Sequence, residues 1–188
     1  MQNLRRMFTD SAKELKSIRT LAITAVFIAL NVTMDLLNIR IQLMLDLRIG
    51  FGFVCNAMVG MLFGPVVAMS AGFATDVLGY LVNTGGAAYF PGFTVTAVLG
   101  GLVWGMMLYK QQVTVWRAIC AKGIINLFLN TGLNSVWMCL FYGSAMKAIL
   151  PVRFLKNIAI LPLEVFLLVL VGGVVSTAVR RLKVPTAV

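Results

Sequence analysis

From residue 20 onward the chain is an almost unbroken succession of apolar runs, each close to the roughly 20 residues that a helix needs to cross a hydrocarbon core about 30 Å thick. Runs of that length and number have no soluble destination. With 60% of residues hydrophobic and only 12% charged, too little polar surface remains to cover a water-soluble domain of this size. The runs are continuously apolar rather than alternating, which points to helices and away from a barrel, because only these two architectures satisfy every backbone group inside lipid. The expected fold is therefore an all-α integral membrane protein, forming one membrane domain over residues 1–188 with no soluble domain of its own.

The expected spans are 20–38, 49–63, 65–83, 92–109, 118–142 and 157–181, giving six transmembrane helices in a bundle over 20–183. Gly64-Pro65 divides the second from the third, since proline lacks a backbone donor and the residue before it avoids helical geometry. Residues 83–92, Asn-Thr-Gly-Gly-Ala-Ala-Tyr-Phe-Pro-Gly, read as a glycine-rich loop with an aromatic centre. Residues 1–19, with Arg5, Arg6, Lys13, Lys16 and Arg19 beside Asp10 and Glu14, read as a basic amphipathic lead-in; no small-residue site closes an apolar core there, as a signal peptide would require. Cys55, Cys120 and Cys139 lack any pairing or metal spacing and read as small buried hydrophobes.

Short cytoplasmic loops accumulate Lys and Arg, so the basic residues orient the bundle. Six spans place both termini in the cytoplasm, with eleven of the sixteen cations: Arg5, Arg6, Lys13, Lys16, Arg19, Lys110, Arg117, Lys122, Arg180, Arg181 and Lys183. Five remain outside or at outer helix ends, namely Arg40, Arg48, Lys147, Arg153 and Lys156, and four of these flank the outer segments 39–48 and 150–157. Singly, such cations snorkel from helix ends to the interface. Four together, with only Asp46 nearby, suit an anionic ligand captured from outside, because arginine presents a planar fork of donors to a carboxylate.

Several chemistries are excluded. The chain has no histidine, which removes the usual general base, the commonest metal ligand and the partner of a serine or cysteine nucleophile. The intramembrane acids Asp35, Asp76 and Glu164 are scattered without a paired-carboxylate spacing, so enzymatic function is not expected and no cofactor or metal is implied. No GxxxxGK[ST] phosphate loop occurs, so uphill transport would draw its energy from a partner ATPase or an ion gradient. The inverted repeat and matching broken helices of gradient-driven carriers are not evident, which favours a partner.

Five blocks then carry a family resemblance: Leu62-Phe63-Gly64-Pro65; Asp76-Val77-Leu78-Gly79-Tyr80 followed by Gly85-Gly86 and Tyr89-Phe90-Pro91-Gly92-Phe93-Thr94; Leu99-Gly100-Gly101-Leu102-Val103-Trp104-Gly105; Leu133-Asn134-Ser135-Val136-Trp137; and Arg153-Phe154-Leu155-Lys156-Asn157. In order and spacing they resemble the substrate-binding S components of energy-coupling factor vitamin transporters, and within these the folate-type S component. The resemblance implies a multi-pass cell-membrane protein, typical of Gram-positive bacteria. Such a protein binds a vitamin at the outer face and delivers it inward with a shared transmembrane coupling protein and two cytoplasmic ATPase subunits. Nucleic acid has no place among the expected partners, whereas membrane lipid does. The family's coupling motif, a small-xxx-small pair on the first span, is matched by Ala25 and Ala29, with Ala22 near the same face; alanines four apart also serve ordinary helix packing.

Folate would present two ends to such a site. Its glutamate carboxylates would meet Arg40, Arg48, Arg153 and Lys156, the last two sharing a face if their segment is helical. Its pterin ring has adjacent N–H donors that a carboxylate or carboxamide accepts, and Asp76 and Asn134 are the candidates. Asp76 meets either a ligand or an internal partner, and Asn134 serves either the ligand or interhelical bonding. Tyr80, Tyr89, Phe90, Phe93 and Trp137 supply either stacking surface or an interfacial aromatic belt, and loop 83–92 could close as a lid. Glu164 could pair with a charge inside the bundle. The alternatives are an S component for pantothenate or a pyrimidine, or a non-transporting scaffold whose outer cations hold acidic lipid head groups.

Overall fold

A computed structural model describes residues 2–37, 40–44, 47–82, 89–111, 113–142 and 150–181; of residues 2–3, 40–44, 47–49, 141–142, 150, 152–153 and 180–181 it describes the backbone alone. The chain begins with an amphipathic helix, α1 (Gln2–Glu14), then α2 (Ile18–Leu36), whose first turn is capped by the Ser17 hydroxyl accepting from the Thr20 N–H. A two-stranded antiparallel hairpin follows, β1 (Arg40–Met44) and β2 (Leu47–Gly50), pairing Arg40 with Gly50 and Gln42 with Arg48 across an irregularity between Gln42 and Met44. This hairpin is an addition to the expected helical architecture. The sequence marks 39–48 only as an outer segment, because its alternation is too short to distinguish a ribbon from a loop.

Helices α3 (Gly52–Phe63), α4 (Pro65–Val82) and α5 (Pro91–Leu108) form the centre. Every residue of α3 from Ala57 to Phe63 is buried, so this helix is wrapped by protein on all sides, which is why it is apolar without a polar stripe. It is also short: twelve residues rise about 18 Å, well under the hydrocarbon thickness. Between α3 and α4 the chain turns at Gly64, whose φ of 87° is a left-handed conformation open to glycine, and Pro65 restarts the helix at a position where no donor is needed. Proline opens α5 in the same way.

Close packing of α3, α4 and α5 depends on small residues. A methyl group at Gly101 would overlap the Ala68 carbonyl, one at Gly105 would overlap Pro65, and one at Gly60 would meet Trp104 and Gly105. The second half of the bundle is a continuous helical rod, α6 (Val115–Ile124), a π-helical stretch (Ile125–Leu133) and α7 (Asn134–Tyr142), packed against the long α8 (Leu150–Arg181). Helix α8 starts earlier than the expected 157, so the 150–157 segment is helical and runs through Pro162 without ending.

Among the described residues five helical spans are long and apolar enough to cross a membrane, Ile18–Leu36, Pro65–Val82, Pro91–Leu108, Val115–Leu140 and Phe154–Val179, with Gly52–Phe63 as a shorter apolar helix. Their outward faces are studded with large exposed hydrophobics, including Val26, Leu81, Phe128, Leu140, Leu155, Phe166 and Val174. Contiguous apolar surface of this extent is costly in water and favourable in lipid.

Candidate ligand-binding cavity

The sequence places polar side chains sparsely along the spans, and the bundle turns many of them toward one another. They line a cavity of about 620 Å³ between α2, α3, α4, α5 and the α6–α7 rod. That volume lies within the range of small-molecule sites. Its walls carry Asn31 and Asp35 from α2, Asn56 from α3, Thr75, Asp76 and Tyr80 from α4, Phe93, Thr96 and Trp104 from α5, and Lys122, Asn130 and Asn134 from the rod. Phe93 and Trp104 are eleven residues apart on α5, so the cavity runs about 16 Å along the bundle. It is a slot for an elongated ligand. The glycines Gly72, Gly79, Gly100 and Gly101 keep the wall between α4 and α5 open by presenting no side chain.

Asp76 is held by a chain of hydroxyls. The Thr94 Oγ1 donates to Asp76 Oδ2 at 2.6 Å and accepts from the Tyr89 hydroxyl at 2.5 Å. An internal partner is therefore present, and it orients the carboxylate rather than covering it, since Asp76 still lines the cavity. The Tyr89 ring leans on Tyr80 with centroids 5.1 Å apart, which fixes the tyrosine at the cavity wall. Phe90 packs against Phe93 at 5.7 Å and against Trp137 at 5.8 Å, and the Trp137 indole N–H donates to Thr96 Oγ1 at 3.2 Å. A Cβ at Gly92 would strike both Phe90 and Trp137, so glycine is required where these rings meet the start of α5. Across the slot, the buried Asn134 Oδ1 has no hydrogen-bond partner among the described residues, although Asn134 lines the cavity. Such an orphaned acceptor is expensive unless a donor arrives.

The far end of the slot departs from the sequence-based expectation. Lys122, counted with the cytoplasmic cations because it falls near the start of a span, is only 3% exposed and lies inside the bundle. Its ammonium is 3.0 Å from Glu164 Oε1 on α8 and 3.8 Å from the centroid of the Phe53 ring. Two residues are thereby paired that are isolated in sequence, and the lone charge expected for Glu164 inside the bundle is found. Glu164 Oε2 accepts from Asn126 Nδ2 at 2.8 Å, and Asn157 Nδ2 donates to the Asn126 carbonyl and to Thr131 Oγ1. The π-helical turn makes this possible. Its i to i+5 spacing sets Thr131 over Asn126, whose carbonyl accepts from Thr131 Oγ1 at 2.8 Å.

Of the residues expected at the site, Asp76, Tyr80, Phe93 and Asn134 line the cavity, while Tyr89, Phe90 and Trp137 form the layer that supports those walls. Lys156 is half-buried on α8, one residue before Asn157. The side chains of Arg40, Arg48 and Arg153 lie outside the described residues, as do residues 83–88 of the expected lid. Ala22, Ala25 and Ala29 are all exposed on one flank of α2. The sequence carries Trp104 only in a family block and Lys122 only among the cytoplasmic cations, and it gives no role to the lining residues Asn31, Asn56 and Asn130. Their only sequence signal was a polar group in an apolar run, which does not say toward which neighbour it turns.

Known proteins with the same organisation carry this description further. A family model described as ECF transporter, substrate-specific component, matches residues 19–172. The folate transporter FolT of Clostridium novyi is 40% identical over 118 residues, covering 63% of this chain and 68% of that protein. FolT of Leuconostoc mesenteroides subsp. mesenteroides is 30% identical over 154 residues, covering 78% and 80% respectively. A crystal structure of FolT bound with folic acid superposes with a TM-score of 0.73 at 30% identity, covering 83% of this chain and 92% of that one.

Proposed function

The chain belongs to the substrate-specific components of ECF transporters, and from that premise we propose that the slot between α4, α5 and the α6–α7 rod is its folate site. The protein is a folate-binding S component, a membrane transport protein rather than an enzyme. The observation that carries the site assignment is the pairing of the oriented Asp76 carboxylate with the orphaned Asn134 Oδ1 in one cavity. Both are acceptors, and a pterin supplies the N–H donors that they lack. Phe93 and Tyr80 offer flat surface to the ring, with Tyr89, Phe90 and Trp137 holding that surface in place.

The glutamate tail then extends toward the outer cations Arg40, Arg48, Arg153 and Lys156. The helical start of α8 supports this reading, because Arg153 and Lys156 are three residues apart on one helix. The topology that accompanies it is a single domain over 1–188 with six spans, α3 counting as the sixth, and both termini in the cytoplasm, 1–19 forming the lead-in and 20–183 the bundle. The burial of α3 from Ala57 to Phe63 supports its place within the membrane, its short length being made up by the hairpin that precedes it. Transport requires a transmembrane coupling protein docking on the exposed small-residue flank Ala22, Ala25 and Ala29, with two cytoplasmic ATPases supplying energy. A multi-pass location in the cell membrane of a Gram-positive bacterium fits relatives from Clostridium and Leuconostoc.

Equilibrium binding to the purified protein in detergent tests this. Trp104 in the cavity wall and Trp137 behind it make intrinsic fluorescence a direct reporter. Saturable quenching by folic acid with no response to pantothenate is the expected result; a folded sample that ignores folic acid refutes the folate site.

A further inference from the structure

We infer that Lys122 is a specificity-determining residue of this site, its ammonium donating to a neutral acceptor, a carbonyl oxygen or ring nitrogen, on the heteroaromatic head of the ligand, with Glu164 and Asn126 as the residues that position it. The inference rests on the cavity being the folate site. An ammonium carries three N–H donors. Here one is directed to Glu164 Oε1 at 3.0 Å and the π face of Phe53 lies 3.8 Å away, while Lys122 and Phe53 both line the cavity. Among the described residues, that leaves donor capacity on the cavity side.

Charge bookkeeping selects the acceptor. Glu164 already neutralises the ammonium in a low-dielectric interior, so a ligand carboxylate arriving at Lys122 would bring an uncompensated negative charge into the bundle. A neutral acceptor brings none and still gains a charge-assisted hydrogen bond. The geometry is also framed on every side. Glu164 is fixed through its second oxygen by Asn126, which also accepts from Asn130 Nδ2 at 3.1 Å and is tied to α8 by Asn157. An ion pair serving only to join α6 to α8 could be replaced by apolar side chains at little cost, and it would gain nothing from opening onto the slot.

The test compares folic acid with pteroic acid, which keeps the pterin head and lacks the glutamate, in wild type and in the double variant Lys122→Met/Glu164→Gln. The methionine keeps the stem volume, and the glutamine keeps an acceptor for Asn126, so no charge is stranded. Affinity for both ligands is expected to fall by the same factor, roughly tenfold or more, with the unfolding temperature of the ligand-free protein unchanged. Loss of folic acid binding with pteroic acid binding spared would overturn the inference by assigning Lys122 to the tail. Unchanged affinity for both would overturn it by making the pair purely structural. Should the double variant fail to fold, Lys122→Gln is read by the same two-ligand comparison. Wild-type protein that binds neither ligand would instead refute the folate reading beneath it.

Discussion

At the residue scale, Ser11 joins parts of the chain that are distant in sequence. Its buried hydroxyl donates to the Phe63 carbonyl at 2.7 Å and accepts from the Val66 and Val67 amides at 3.0 and 3.3 Å. It therefore serves as an N-cap supplied from another helix, at the point where Pro65 has broken the α3–α4 ladder. Ser11→Ala should destabilise the protein by about 1–3 kcal/mol, read by thermal unfolding in detergent, because the buried Val67 amide and the half-buried Val66 amide lose their acceptor. Thr94 is the corresponding residue at the ligand site. Thr94→Val keeps the shape but cuts the hydroxyl chain from Tyr89 to Asp76. Folic acid affinity should fall roughly tenfold with little change in ligand-free stability; an unchanged affinity would mean that Asp76 needs no orientation.

Among the elements, α4 and α5 depend on glycine for their separation. Gly101→Val would drive two methyls into the Ala68 backbone and also into the slot that Gly101 lines. Overpacking of this kind costs about 1–3 kcal/mol, and here stability and folic acid binding should decline together. By contrast Gly123, with open space around it, should accept Gly123→Ala without loss of binding. Helix α1 is held beside Ser11 by Asp10 and Lys110, 2.9 Å apart. Lys110 adopts a left-handed φ of 56° just past the end of α5, a position where glycine is usual, with its ammonium also above the Tyr109 ring. The hydrogen bond and charge of Lys110 hold Asp10 below its ordinary 3.8, and Asp10 raises Lys110 above its ordinary 10.5. The contribution of the pair is thus complete between those ordinary values. It is lost as pH falls through the lowered Asp10 value, and again as pH rises through the raised Lys110 value. Limited proteolysis at the turn around Lys16 should be constant across the intermediate range and accelerate only at the extremes; Asp10→Asn should make it pH-independent on the acid side.

For the molecule as a whole, the proposed topology places Lys156 with the ligand tail and Arg117 at the cytoplasmic end. Lys156→Ala should weaken folic acid while leaving pteroic acid nearly unaffected, and Arg117→Ala should change neither. Equal losses from both would sink either the orientation or the tail site. Much of this architecture is legible in the sequence because it follows from solvent. Lipid demands long apolar helices, so most spans can be located to within several residues, and the Gly64–Pro65 break and the aromatic blocks around Asp76 and Asn134 can be read directly, whereas α3 falls short of a full span. The inside of the bundle cannot be read in that way. An apolar run shows no stripe by which to tell a lipid-facing side from a protein-facing one, which is why Lys122 could be counted with the cytoplasmic cations when its partner lies 42 residues away on α8. The sequence by itself determined that this chain is a helical membrane protein and, through its ordered motif blocks, which family of membrane proteins it resembles. The tertiary structure alone decided which polar groups meet, because in a medium without competing water each must find its partner in the bundle, and rotation of neighbouring helices, not position in the chain, selects it.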